Sequence, residues 1–254
     1  MSKTPVDIIK KELIHQKKIG FKGNIYHFCQ VSMAYNSNKI EGSTLTEEQT
    51  EEIFETDSFI PKEEDIIKLD DLIEMKNHFR LFDYMLDTLD KPLSKDLMIE
   101  MNTILKRGTS YEDDPRYNVG GFKKMPNRIV GTINSFTTSK PQDVENDLNN
   151  LLDWYMESDK ADLNRIIEFH VRFERIHPFG DGNGRTGRMI MFRECLNNNI
   201  MPFVILNEDK LYYMQGLKEY ENEKGYLTDT ILHEQDIFET KADEYLENIE
   251  ELYQ

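Results

Sequence analysis

His177-Pro-Phe-Gly-Asp-Gly-Asn-Gly-Arg-Thr-Gly-Arg188 packs a base, a carboxylate, several glycines and two arginines into one short run. Gly182 and Gly184 let the backbone turn tightly and bring its N–H groups close to a ligand. Met189 to Leu196 downstream has helical apolar spacing, so the glycines open a helix. A helix start carries unsatisfied donors and partial positive charge, which suits phosphate. With the helix beginning near Gly184, Arg185 and Arg188 share a face at i, i+3 and reach the outer phosphates of a nucleotide as forked donors. Asp181 is the hard oxygen ligand inside the loop, a place for Mg2+ bridging those phosphates. His177 stands just before the loop, where a neutral imidazole can take a proton from an incoming hydroxyl. The spacing describes phosphoryl or nucleotidyl chemistry.

Other readings of the loop fit less well. Gly182 to Gly187 satisfies G-x-G-x-x-G, but a dinucleotide fold needs a strand before it, and Asp162 to Ile176 reads as an amphipathic helix. Asp181-Gly-Asn183-Gly-Arg185 begins like a calcium loop, yet Arg185 replaces an oxygen ligand and Phe192 stands where the closing Glu would be. A plain turn has no use for His, Asp and two Arg together.

The run resembles the signature of the Fic domain, H-P-F-x-D/E-G-N-G-R-x-x-R, and meets every fixed position. The resemblance implies a mostly α fold, a Fic-type helical bundle with a small β-hairpin flap. It also implies transfer of AMP from ATP to a protein Ser, Thr or Tyr hydroxyl with release of diphosphate. By similarity His177 would be the general base and Asp181 the Mg2+ ligand. The backbone of Gly182, Asn183 and Gly184 would form the anion hole, Arg185 and Arg188 would hold the outer phosphates, and Phe179 would anchor the loop.

A second constellation lies upstream. Ile25 to Glu41 carries a helical apolar stripe after an Asn24 cap and ends in Ser37-Asn-Lys-Ile-Glu41-Gly42, with Ser37 and Glu41 on one face. This resembles the inhibitory motif S/T-x-x-x-E-G/N of Fic proteins. The resemblance implies that Glu41 pairs with Arg188 and keeps the γ-phosphate from its productive place. A carboxylate competing with a more highly charged ligand gives partial inhibition, set by how firmly the helix is packed.

The elements that must position these residues read as helices. Thr46-Glu-Glu-Gln49 is a capping box opening a helix to about Glu55, and Pro61 precedes a helix to about Leu89. Ser94 caps Lys95 to Lys106, which stops at Gly108; Ser139-Lys-Pro141 starts a helix through Met156. The His177-bearing helix and the motif helix to about Asn198 follow. Asn207 is expected to cap a helix through Tyr220, and the acidic end from Ile231 is expected to be helical. Arg116 to Ser135 is the exception, where Gly120-Gly121, Pro126-Asn127 and Gly131 punctuate short extended pieces. Phe122 to Ile133, including Arg128, Ile129 and Val130, occupies the place of the Fic flap, which aligns a target segment by strand addition. The expected organisation is an N-terminal helical region, 1–60, with the inhibitory helix at about 24–42, and a catalytic core over 61–254, packed as one continuous domain.

Composition bounds the rest. The chain has 254 residues, 38% hydrophobic and 31% charged, enough for a real core. Cys29 and Cys195 lie on apolar helical stretches without metal spacing and read as buried free thiols. No secretory core or membrane-length apolar run is present, so a cytoplasmic chain is expected. A net charge of −17 repels nucleic acid and anionic membranes. Six of the ten arginines, Arg165, Arg172, Arg175, Arg185, Arg188 and Arg193, cluster in one region, as a small polyanion site requires; Arg172 and Arg175 can instead pair with Glu168 and Glu174. The cationic surroundings are expected to keep His177 unprotonated. The expected partners are ATP and a protein with an exposed hydroxyl, this chain itself included. Two alternatives stay open: removal of AMP by a water that Glu41 orients, and a silenced interaction or toxin-antitoxin-like module. The target, the base preference and the oligomeric state are not written in the motif.

Overall fold

The computed structural model describes residues 4–20, 22–61, 66–130 and 135–247, with backbone only for 128–130 and 135–137. The chain runs α1 (Val6–Ile19), α2 (Ile25–Ile40), α3 (Glu47–Thr56), α4 (Leu69–Asp87), α5 (Lys95–Lys106), β1 (Arg128–Val130), β2 (Ser135–Thr137), α6 (Val144–Met156), α7 (Leu163–Ile176), α8 (Asn183–Asn197), a 3-10 turn (Asn207–Asp209), α9 (Lys210–Glu219) and α10 (Gly225–Leu246). The mostly helical reading holds. No helix among the described residues is long and apolar enough to cross a membrane.

Local capping explains several boundaries. Asn24 accepts from His27 N–H at the start of α2, and Thr46 and Gln49 form the reciprocal capping box of α3. Ser94 and Asp162 cap α5 and α7 in the same way. α4 starts at Leu69, later than the sequence suggests. Asp70 and Asp71 favour its N-terminus and are held there from outside, Asp70 by Ser110 and Asp71 by Thr44. α6 starts at Val144 rather than beside Pro141, and α10 begins at Gly225, ahead of Ile231. Asn207 caps nothing with its side chain; its N–H donates to Asn36 on α2, 2.9 Å away.

One large core cluster runs from Val6 and Leu13 through Cys29, Phe82, Met101, Leu148, Phe169 and Phe192 to Phe238. α2 lies inside it, packed on α1, α3, α4, α8 and α10, which is why nearly its whole circumference is buried. α7 and α8 pack against each other, and their junction is the His177 to Gly182 loop. The hairpin pairs Arg128 with Thr137, Ile129 with Phe136 and Val130 with Ser135. Its second strand therefore lies beyond Ile133, and residues 131–133 of the expected flap are outside the described residues. Phe122 is not in a strand; it packs on Phe179 with ring centroids 5.9 Å apart.

Candidate active site

His177 is the left-handed C-cap of α7, with φ +50°, an unusual backbone for a non-glycine residue. This turn lifts the imidazole out of the helix. Its Nδ1 lies 3.3 Å from the Glu174 carbonyl oxygen, which can only accept, so Nδ1 donates and the Nε2 lone pair is left to act as a base. Burial, helped by the nearby Lys123 cation, pushes the His177 pKa down to about 4, so the ring is neutral at ordinary pH. The imidazole is neutral, as expected, but the cation that helps burial is Lys123 rather than the arginines of the motif.

The loop is clamped at several points. Phe179, 1% exposed, plugs the core, and the Asn183 amide bridges it, accepting from Phe179 N–H at 2.8 Å and donating to its carbonyl at 3.0 Å. Asn127 donates to the same carbonyl, and Asn102 on α5 donates to the Asp181 carbonyl, each at 2.9 Å. Lys123 ties the base of the hairpin to the loop: its N–H donates to Pro178 O at 2.8 Å, and its ammonium donates to Ile176 O, Asn127 and Thr138.

Gly182, at φ +79°, is the N-cap of α8, so the helix begins at Asn183, one residue earlier than the sequence suggested. The first backbone bond of the new helix is Thr186 N–H to Gly182 C=O, 3.0 Å. The N–H groups of Asn183, Gly184 and Arg185 precede it and have no acceptor within the helix, which makes this mouth an anion-binding surface. Gly184 is closely approached: a Cβ there would displace Glu41 Oε1 and sit 2.9 Å from Arg188 Nη1.

Both motif arginines are buried beneath this mouth. Arg188 donates from Nε to Ser37 Oγ and from Nη2 to the Ser37 carbonyl, each at 3.0 Å, and from Nη2 to Glu41 Oε1 at 2.7 Å. Burial alone would raise the Glu41 carboxyl, but Arg188 and Arg185 outweigh it and hold it below the usual range, so Glu41 is ionised. Gly42 follows with φ +96°, letting the chain leave α2 at once. Arg185 donates to Glu74 on α4, to Asn38 at 3.1 Å, and to Asp181 Oδ2 at 3.4 Å. Burial would raise Asp181, yet Arg185 and Lys106 hold it low. Its side chain is 38% exposed, and an ionised, reachable carboxylate suits a hard divalent cation that takes its other ligands from phosphate and water.

Of the six clustered arginines, only Arg185 and Arg188 face this site. Arg165 caps the end of α6 through the Trp154 and Tyr155 carbonyls, and Arg193 is buried on Thr88, Lys91 and Glu194. Arg172 pairs with Glu168 as expected, whereas Arg175 pairs with Glu221 and not with Glu174. Glu174 instead points inward beneath His177, where burial raises its pKa to about 8 and leaves it neutral. Sequence reasoning missed Glu74, Asn102, Lys106, Lys123 and Glu174. The available signal was polar residues on the apolar faces of amphipathic helices, such as Asn102 and Lys106 beside Met98, Met101 and Leu105.

Residues 92–195, which contain the whole loop, match the model of the Fic/DOC family. The chain is 26% identical over 189 residues to a protein adenylyltransferase Fic of Nematostella vectensis, covering 73% of this chain and 42% of the relative. It is 32% identical over 102 residues to a probable protein adenylyltransferase of Aquifex aeolicus, covering 40% and 31%. The chain thus spans less than half the length of these curated relatives. Among solved structures, a Fic domain containing signaling protein from Bacteroides thetaiotaomicron superposes with a TM-score of 0.71 at 22% identity, covering 92% of this chain and 93% of that one. Fic-1 from C. elegans superposes with a TM-score of 0.66 at 20% identity, covering 96% and 74%. The loop between α7 and α8 thus lies within the segment that matches the Fic/DOC family, and the helical fold around it is similar to those of the solved Fic structures.

Proposed function

We propose that this chain is a protein adenylyltransferase that moves AMP from ATP onto a Ser, Thr or Tyr hydroxyl of a protein and releases diphosphate. The reading is carried by one observation: a neutral imidazole with its Nε2 free stands at the mouth of a helix whose first turn offers unpaired N–H groups above two buried guanidinium groups. The names of the curated relatives support it.

In the proposed reaction the loop N–H groups, Arg185 and Arg188 hold the triphosphate with the α-phosphorus turned toward His177. The target hydroxyl oxygen attacks that phosphorus while its proton passes to His177 Nε2. The bond from the α-phosphorus to the bridging oxygen breaks, and diphosphate leaves with both electrons of that bond. Asp181 would hold Mg2+, which when bound offsets the charge on the phosphates. The hairpin would align the target segment along its strand edge, through Arg128 to Val130, with Phe122 supporting the base.

Glu41 is the brake in this reading. It occupies the Arg188 guanidinium that the γ-phosphate needs, with its side chain 35% exposed at the mouth where the nucleotide would arrive. Incubation with α-labelled ATP and cell lysate tests both halves. His177→Ala should lose at least ~100-fold in AMP incorporation, and Glu41→Gly should gain; wild-type rates in the first variant would remove the imidazole from the chemistry. Because Glu41 is ionised, it can also orient a water. Incubating a modified target with Mg2+ and no ATP separates hydrolytic removal from transfer.

A further inference from the structure

Lys106 ends α5 with a side chain only 1% exposed. Its ammonium donates to Glu74 Oε1 and to Asp181 Oδ2, and it lies 3.8 Å from the centroid of the Tyr111 ring. Arg185 contacts the same two carboxylates from the other side, through Glu74 Oε2 and Asp181 Oδ2. The four groups therefore close a ring, Lys106, Glu74, Arg185, Asp181, that alternates in sign and sums to zero. The Lys106 stem also supports the loop directly, since a Cβ on Gly182 would lie 3.4 Å from Lys106 Cδ.

Buried ion pairs are poor devices for stability, because desolvation offsets most of the attraction. Two members of this ring, Asp181 and Arg185, are the groups assigned above to metal and phosphate. The other two, from α4 and α5, set the field those groups work in.

We propose that Lys106 is a further positioning residue of the nucleotide site: a resident ammonium on the metal-binding carboxylate that lets the site hold a triphosphate without metal and restrains its affinity for the metal. The inference rests on the nucleotide reading above. A divalent ion approaching Asp181 meets a positive charge already on the same carboxylate, and the two repel. A triphosphate arriving without metal meets that charge as attraction. Glu74 sets how much of it is felt, by neutralising Lys106 and Arg185 together. Loss of the ammonium should therefore weaken metal-free binding and strengthen the metal's contribution. A residue that only supports the fold would weaken both.

The readout is the equilibrium affinity for a fluorescent, non-hydrolysable ATP analogue, measured in EDTA and in saturating Mg2+, in the full chain carrying Glu41→Gly to clear Arg188. Absence of binding in that parent under both conditions would overturn the nucleotide reading itself. With binding established, Lys106→Met should raise the ratio of the Mg2+ affinity to the EDTA affinity by on the order of tenfold, chiefly by loss of the EDTA affinity. Lys106→Arg should restore the parent ratio, and Glu74→Gln should lower it by tightening metal-free binding. A folded Lys106→Met variant with the parent ratio overturns the inference. Should that variant fail to fold, an unchanged ratio in Glu74→Gln does the same.

Discussion

The imidazole of His177 is set by its own backbone. A left-handed turn places it, a carbonyl fixes its tautomer, and burial with Lys123 lowers its pKa to about 4. A base that loses its proton near pH 4 is competent throughout the neutral range. In the proposed reaction AMP transfer should therefore stay level from about pH 7 down to about pH 5 and fall only as the pH approaches 4; a rate profile that bends near the free imidazole value of about 6.5 would show a solvated ring. Asn183 makes a second residue-scale prediction. Its amide holds both backbone groups of Phe179, so Asn183→Ala should loosen the loop and cut nucleotide affinity by roughly tenfold, a loss of about 1.4 kcal/mol, readable by equilibrium binding. The motif and the Ser37 to Gly42 run were legible in the sequence because their chemistry is local: the residues that meet are three to five apart, or belong to two recognisable runs. Glu74, Lys106 and Lys123 were not legible. They reach the site from α4, α5 and the hairpin base, and no spacing connects them to the loop.

At the scale of elements, α2 is the part whose placement decides activity in the proposed reading. It is held by Asn36 to Asn207, by Phe28 against Phe238 and Tyr245 on α10, and by Ser37 on Arg188. Glu41 is the C-cap of α2, so its place depends on the seat of that helix. Ser37→Ala removes one of the three hydrogen bonds that Ser37 and Glu41 accept from Arg188 and should raise basal AMP incorporation by less than Glu41→Gly does. Phe28→Ala, which frees α2 from α10 at a cost of about 3 kcal/mol, should raise basal transfer while lowering the melting temperature. Equal transfer in all three variants and wild type would detach the helix from control of the site. Caps made α2, α3, α5 and α7 readable, since each begins with a side chain accepting from its own first turn. α1 falls in the region 1–60 expected to be helical but was given no bounds, although Val6, Ile9 and Leu13 have helical spacing. Its start is unmarked, with Pro5 at the N-cap and no side-chain bond. The hairpin was placed but its second strand was not, because three-residue strands carry almost no alternation to read.

Beside its buried ion pairs the molecule encloses several titratable groups in their neutral forms, and these shape its response to pH. Burial, with Arg185 and Arg188 nearby, lowers His78 to about 3; burial and Arg188 lower His170 to about 3; His177 sits at about 4. Below about 6.5 the unfolded chain gains protons that the folded chain refuses, so their stabilisation is present above that value and lost as the pH falls toward 4. Glu174 and Glu234, both raised by burial to about 8, run the other way: their neutral forms stabilise fully below the ordinary carboxyl value and lose that effect as the pH rises through about 8. The melting temperature should peak at about pH 6.5 and decline on both sides, and Glu174→Gln should flatten the alkaline limb in a calorimetric series. The same inwardness extends to sulfur. Cys29 on α2 and Cys195 on α8 are completely enclosed, one in the helix that carries Glu41 and the other in the helix that carries both arginines. A maleimide added to the native chain should find no target there until one of these helices lifts away, so the speed of alkylation becomes a clock for the opening, measurable without nucleotide, metal or a known recipient.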